Sequence, residues 1–166
     1  MKAVHLGIDR TFEQDPKYAI RLLVDIAIKA LSPAINDPTT AVQALDQIED
    51  LLLRLGRHDM DSGYASDAKG MPRLVFPMPT WEDYLALAFD EIRQYGTGSV
   101  QVMRRLRAAL IALSESLTDA DRAGVVRNYL KHLDLAIAHS PLDAQDQTVA
   151  RETDRQGLGL TRRANE

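Results

Sequence analysis

The chain has 166 residues, a formal net charge of −4, 45% hydrophobic and 27% charged residues, the size and balance of one globular domain. Its acidity argues against a nucleic-acid binder, and the lack of cysteine removes disulfides, thiolate zinc sites and cysteine nucleophiles. No run of about 18 uninterrupted apolar residues occurs, and Met1-Lys2-Ala3-Val4-His5 lacks the long apolar core of a signal peptide.

Leu, Ala and Ile dominate while aromatic residues make up 5%, which favours helices over a β-sandwich. Residues 1–14 read as an extended lead-in. A first helix is expected from Asp15-Pro16, an N-cap acid with proline at the first helical position. From Ala19 to Leu31 it is apolar except for Arg21, Asp25 and Lys29, whose i, i+4, i+8 spacing makes one narrow charged stripe. A helix so apolar on its other sides is expected at the centre of a helical domain. Ser32-Pro33 ends it, because the residue before proline avoids the helical region. Asp37 and Pro38 then start a second helix whose core stripe is Val42, Leu45, Ile48, Leu52 and Leu55. The short gap predicts a helical hairpin.

Residues 57–79 change character. Gly63, Gly70, Pro72, Pro77 and Pro79 punctuate them, so a long loop or short hairpin insertion is expected, with Arg73-Leu74-Val75-Phe76 as its strand candidate. A long connection of this kind inside a domain is often functional. Thr80-Trp81-Glu82-Asp83 is a capping box that opens a third helix, closed by Gly96-Thr97-Gly98. A fourth starts near Ser99 with the stripe Val102, Leu106, Leu110 and Leu113. Further boxes at Thr118-Asp119-Ala120-Asp121 and Ser140-Pro141-Leu142-Asp143 predict a fifth helix, burying Val125 or Val126, Tyr129, Leu133 and Ile137, and a shorter sixth. Residues 157–166 hold few apolar side chains and read as a frayed tail. The expected fold is all-α: one domain of five to six helices over residues 1–156.

The run from Asp15-Pro16-Lys17-Tyr18 to Ala27, continued by Ser32-Pro33-Ala34-Ile35-Asn36-Asp37-Pro38-Thr39-Thr40, resembles the soluble C-terminal domain of a bacterial family of predicted membrane proteins of unknown function. The segment from Trp81-Glu82-Asp83-Tyr84 to Tyr95-Gly96 resembles a second block of that family, and the likeness spans roughly Gly7 to Ile137. The resemblance implies an N-terminal group of transmembrane helices joined by a Gly-rich linker to this helical domain. It therefore implies a domain soluble as read and membrane-associated in full-length relatives, on a side of the membrane it does not specify. It implies no reaction.

Candidate chemistry concentrates at the polar corner of Ser32, Asn36, Asp37, Thr39 and Thr40, where two helix ends meet. The start of the second helix offers unpaired N–H groups that could bind a small anion or phosphate, with Arg21 and Asp25 as charged walls. The plainer reading makes the same residues turn formers and caps, with Asp37 competing for those donors. The Arg21–Lys29 stripe reads as an ion-pair network, reaching toward Asp46 or Arg93-Gln94. His58-Asp59-Met60-Asp61 with Asp67 lacks the glutamate of a calcium loop, Gly70 standing in its place. His132 and His139 lie seven apart, whereas helical zinc pairs prefer three or four. No metal site is expected. Arg104-Arg105-Leu106-Arg107 reads as a solvated basic helix face, with contact to lipid headgroups or an acidic partner as the second reading. Without a phosphate loop, dinucleotide fingerprint or nucleophile elbow, no cofactor and no catalytic residue are expected.

Three functions fit these readings. The first is a non-enzymatic interaction or regulatory module that signals through Met1–Thr11 to transmembrane helices of its own protein. The second is a small-ligand or anion-binding domain, or an enzyme, using the Ser32–Thr40 corner. The third is a homo-oligomerisation domain. Fold class alone does not separate them.

Overall fold

Asp15 starts the first helix by local chemistry: its carboxylate accepts the N–H groups of Lys17 and Tyr18, and Pro16 needs no partner at the first helical position. In the computed structural model, which describes residues 15–58, 60 and 63–158, six helices and one two-stranded sheet follow from such signals. They are α1 (Pro16–Ala30), α2 (Pro38–Leu55), β1 (Tyr64–Ser66), β2 (Pro72–Val75), α3 (Trp81–Gly96), α4 (Val100–Ser116), α5 (Ala120–Ala138) and α6 (Ala144–Ala150). The domain is all-α apart from this small sheet. The expected lead-in at 1–14 and the tail beyond 158 lie outside the described residues.

Asp37 caps α2, the full Thr80–Asp83 capping box opens α3, and Ser99 caps α4. Two starts shift from expectation. Asp119 rather than Thr118 caps α5, accepting from Asp121 and Arg122, and Asp143 rather than Ser140 caps α6. A carboxylate is at least as good an N-cap acceptor as a hydroxyl, and each of these acids lies nearer the helix proper.

The core is one cluster contributed by every helix, with Ile20, Leu45, Leu52, Phe89, Met103, Leu113 and Ile137 among its fully buried side chains. The stripes predicted for α2 and α4 are buried, except that Leu55 keeps partial exposure. The central helix is α4, not α1. Among the described residues α4 packs against α2, α3, α5 and α6, whereas α1 packs against α2 and α3 alone and leaves Ile26 49% exposed. An apolar composition does not say how many neighbours a helix will meet.

β1 and β2 pair antiparallel, Tyr64 opposite Val75 and Ala65 opposite Leu74, with an irregularity at Ala65/Ser66. Among the described residues neither strand packs against a helix. The segment after α6 returns to the body: Asp154 is buried, its Oδ1 accepts the Gly157 N–H at 3.0 Å, and Gln101 Nε2 donates to Gly157 O at 2.6 Å. Gly157 has φ of +66° and sits so close to α2 that a Cβ would lie 2.2 Å from Val42 Cγ1.

Candidate functional site

The corner between α1 and α2 satisfies its own polar groups. Ser32 Oγ donates to Lys29 O at 2.7 Å, Asn36 N–H donates to Ser32 O at 2.8 Å, and Asp37 N–H donates to Ala30 O at 2.8 Å. Asn36 takes the left-handed φ of 50° that this residue type tolerates, which lets the chain turn into the next helix. One Asp37 oxygen accepts the Thr40 N–H at 3.1 Å and the other the Thr40 hydroxyl. The Thr40 hydroxyl first, and then its N–H, hold the Asp37 carboxyl below its ordinary range. Thr39 is exposed. The Asp37 oxygens thus occupy donors at the start of α2 that an anion would use.

Arg21 and Asp25 are not part of that corner. They form an i, i+4 ion pair on the first half of α1, so Arg21 stands about 16 Å along the helix from Ser32 by the helical rise. Arg21 also crosses to α3, where its Nη2 donates to Glu91 Oε2 at 3.2 Å. That bond is the main reason the Glu91 carboxyl lies low and the Arg21 guanidinium is raised. The partner on α3 is therefore Glu91 rather than Arg93-Gln94. Asp46 belongs to a different network, and Lys29 stays exposed.

That second network corrects the reading of Arg104 and Arg105 as a solvated face. Both are buried. Arg105 Nε donates to Asp46 Oδ1 at 2.6 Å and its Nη2 donates to Glu49, joining α4 to α2. Arg104 lies 3.9 Å from Asp154 and 3.8 Å from Glu152, joining α4 to the segment after α6. Arg107 pairs with Asp134 of α5. A signal for Arg105 was present in the spacing, since it falls three residues after Val102 and four before Ala109, both buried. Glu91 and Asp154 carried no comparable sign.

His58 and Asp67 do not meet in a ligand set. Asp59 and Asp61 lie outside the described residues, and Asp67 is engaged within the hairpin. Its Oδ1 accepts from Lys69 N–H at 2.8 Å and Met71 N–H at 3.1 Å, and its Oδ2 accepts from Arg73 Nε at 2.8 Å. Among the described residues no group of three metal-ligating side chains occurs. His139 Nδ1 lies 2.8 Å from Leu135 O and His132 stacks obliquely near Tyr129.

The hairpin and its base present an open surface. Asp67 organises the turn and Gly70, at φ +81°, closes it, so the hairpin is built from its own atoms. Val75 is 80% exposed, and Tyr64, Leu74 and Met71 are exposed beside it. Gly63 at the hairpin's base lies against Met78, where a Cβ would be 3.5 Å from Met78 Cγ. Met78, Met60 and Pro79 are shared by two adjoining cavities. The smaller, about 180 Å³, is also walled by Pro16, Leu55 and Tyr84; the larger, about 420 Å³, opens past Trp81 toward Glu82 and Asp121. The Trp81 indole N–H is buried without an acceptor among the described residues. Neither the groove nor β1 was foreseen, because three residues of strand are too few to show a period.

A sequence profile of the family described as "Predicted membrane protein (DUF2254)" matches residues 1–112. The chain belongs to that family. The match to DUF2254 ends within α4. Uncharacterized protein Rv1290c of Mycobacterium tuberculosis and uncharacterized protein Mb1321c of Mycobacterium bovis are each 30% identical to it over 166 residues, through α5 and α6 as well. That alignment takes in 100% of this chain and 30% of each relative, so the chain spans less than a third of the relatives' length. No solved structure matches it. Among the described residues no helix is long and apolar enough to cross a membrane.

Proposed function

We propose that this domain is a non-enzymatic interaction module of a membrane protein, docking through the β hairpin and the apolar surface at its base. The hairpin carries the reading: among the described residues neither strand packs on a helix, yet Tyr64, Leu74 and Val75 are exposed on it. A lone two-stranded hairpin is marginal in water, and exposed apolar side chains on both of its faces, Tyr64 and Val75 on one and Leu74 on the other, favour a covering partner. The family description supports the membrane setting. The charged network supports binding over chemistry, since Arg21, Arg104, Arg105 and Arg107 each meet a carboxylate and tie elements together. The partner in this reading is the transmembrane region of the full-length protein, and occupancy is passed to it through the chain ahead of Asp15.

A protease site placed ahead of Asp15 in the full-length membrane form tests this. After cleavage the domain stays with the detergent-solubilised membrane region, and Leu74→Asp/Val75→Asp releases it without changing its helical content. A wild-type domain that elutes free after cleavage ends the proposal. Among the described residues the outer edges of β1 and β2 carry no partner strand, which favours strand addition between two copies as a second reading. Sedimentation at high concentration separates the two: a dimer abolished by Val75→Lys supports strand addition, and a strict monomer removes it.

A further inference from the structure

We propose that the groove at the hairpin's base receives a basic amphipathic segment of the same protein's membrane region, an apolar side chain entering the smaller cavity and a lysine or arginine settling beside Glu82 and Asp121. The inference rests on the docking reading above and adds the chemistry of what docks.

The floor and the rim differ in character. The floor shared by both cavities is Met60, Met78 and Pro79. Methionine is unbranched and polarizable, so such a floor adapts to different apolar side chains. Past it, the larger cavity reaches the first turns of α3 and α5, where Glu82 and Asp121 are exposed. Neither pairs with a cation among the described residues. Arg122 lines the same cavity and is engaged with the body: its Nη1 donates to Gly56 O at 3.2 Å and His58 O at 2.9 Å, and its Nε lies 3.5 Å from Asp119. An apolar floor whose rim carries two carboxylates and one cation already paired with Asp119 complements a helix that carries leucine-like anchors on one face and basic residues flanking them. An acidic or purely apolar segment gains nothing from that rim.

Trp81, the single tryptophan of the chain, lines the larger cavity and reports occupancy through its fluorescence. The probe is a short synthetic amphipathic helix of leucine and lysine, beside its leucine–glutamate counterpart. The leucine–lysine helix is expected to shift Trp81 emission saturably, and more weakly at high salt; the glutamate counterpart gives no shift. Glu82→Gln/Asp121→Gln should weaken binding about fivefold, the worth of two exposed charge pairs. Gln43→Lys/Gln47→Lys changes net charge equally on the exposed side of α2 and should leave affinity within about twofold. Met78→Lys, at an exposed position that tolerates it, should abolish the shift. Equal binding of the two probes, absence of binding, or rim variants that bind like wild type would each overturn the basic partner. If the cleavage experiment succeeds while these probes fail, the docking surface stands and its basic occupant does not; if cleavage frees the domain, the docking reading itself is lost.

Discussion

Replacing Arg105 by methionine keeps an apolar stem in the interior while removing the guanidinium that Asp46 and Glu49 share. The Arg105 side chain is 6% exposed, Glu49 16% and Asp46 42%, so one carboxylate is left nearly dry and the other half in water. Stripping one partner from a fully buried pair costs about 3–5 kcal/mol. Because Asp46 can rehydrate and Glu49 in part, the expected loss is roughly 2 kcal/mol, or about 4–8 °C in melting temperature for a domain of this size. Glu49→Gln should cost less, since Asp46 still holds the guanidinium. Urea unfolding followed by circular dichroism gives both values and that of the double variant. The pair is coupled in this geometry, so the double variant should recover about 1 kcal/mol against the sum of the singles. Additivity within about 0.5 kcal/mol, or an Arg105→Met protein as stable as wild type, would mean that the guanidinium points to solvent and the α2–α4 network does not exist.

Gly157→Ala should lower stability by about 2 kcal/mol, because it adds left-handed strain at φ +66° and drives a Cβ into Val42; an unchanged melt and unchanged proteolysis after α6 would show that the segment does not lie on α2. Asp37→Ala should lower the melting temperature by a few degrees while Asp37→Asn restores most of it, since asparagine keeps the cap acceptor; an equal loss in both would point to charge instead. Acid should destabilise the domain. Asp37, Asp67, Asp83 and Glu91 are each held low by hydrogen bonds, so their contribution is complete above the ordinary carboxylate range and disappears as pH falls through the lowered values. A melting temperature as high at pH 3 as at pH 5 contradicts this, and Arg21→Met should flatten the part due to Glu91. At the alkaline end burial, reinforced by Asp90, pushes Tyr129 up to about 12, so stability should fall between pH 10 and 12, and less in Tyr129→Phe.

What could be read before the structure was mostly local. Asp15-Pro16, Asp37-Pro38, Thr80 and Ser99 set helix starts because a cap needs only its next three residues. For the Ser32–Thr40 corner the turn-and-cap reading, one of the two drawn for it, rests on the same local chemistry. Long-range partners were not readable: Arg21 meets Glu91 seventy positions away, and Arg104 meets Asp154 fifty further along the chain than itself. The run Arg104-Arg105-Leu106-Arg107 misled because charge was weighed above phase, although Arg105 shares the buried side of α4 with Val102 and Ala109. α1 misled in the opposite sense, its apolar surface exceeding what the two helices packed on it among the described residues cover. The groove is assembled from Pro16, Met60, Met78 and Trp81, which no local pattern joins.

The central claim is that the hairpin is a docking arm toward the membrane region. A photo-crosslinking amino acid at Val75 of the full-length membrane form, compared with one at exposed Gln43, tests it most directly. Peptide mapping should find Val75 joined to the membrane-embedded part of the same protein, and Gln43 not. Crosslinks from Val75 that never reach that region, or that match those from Gln43, would contradict the account.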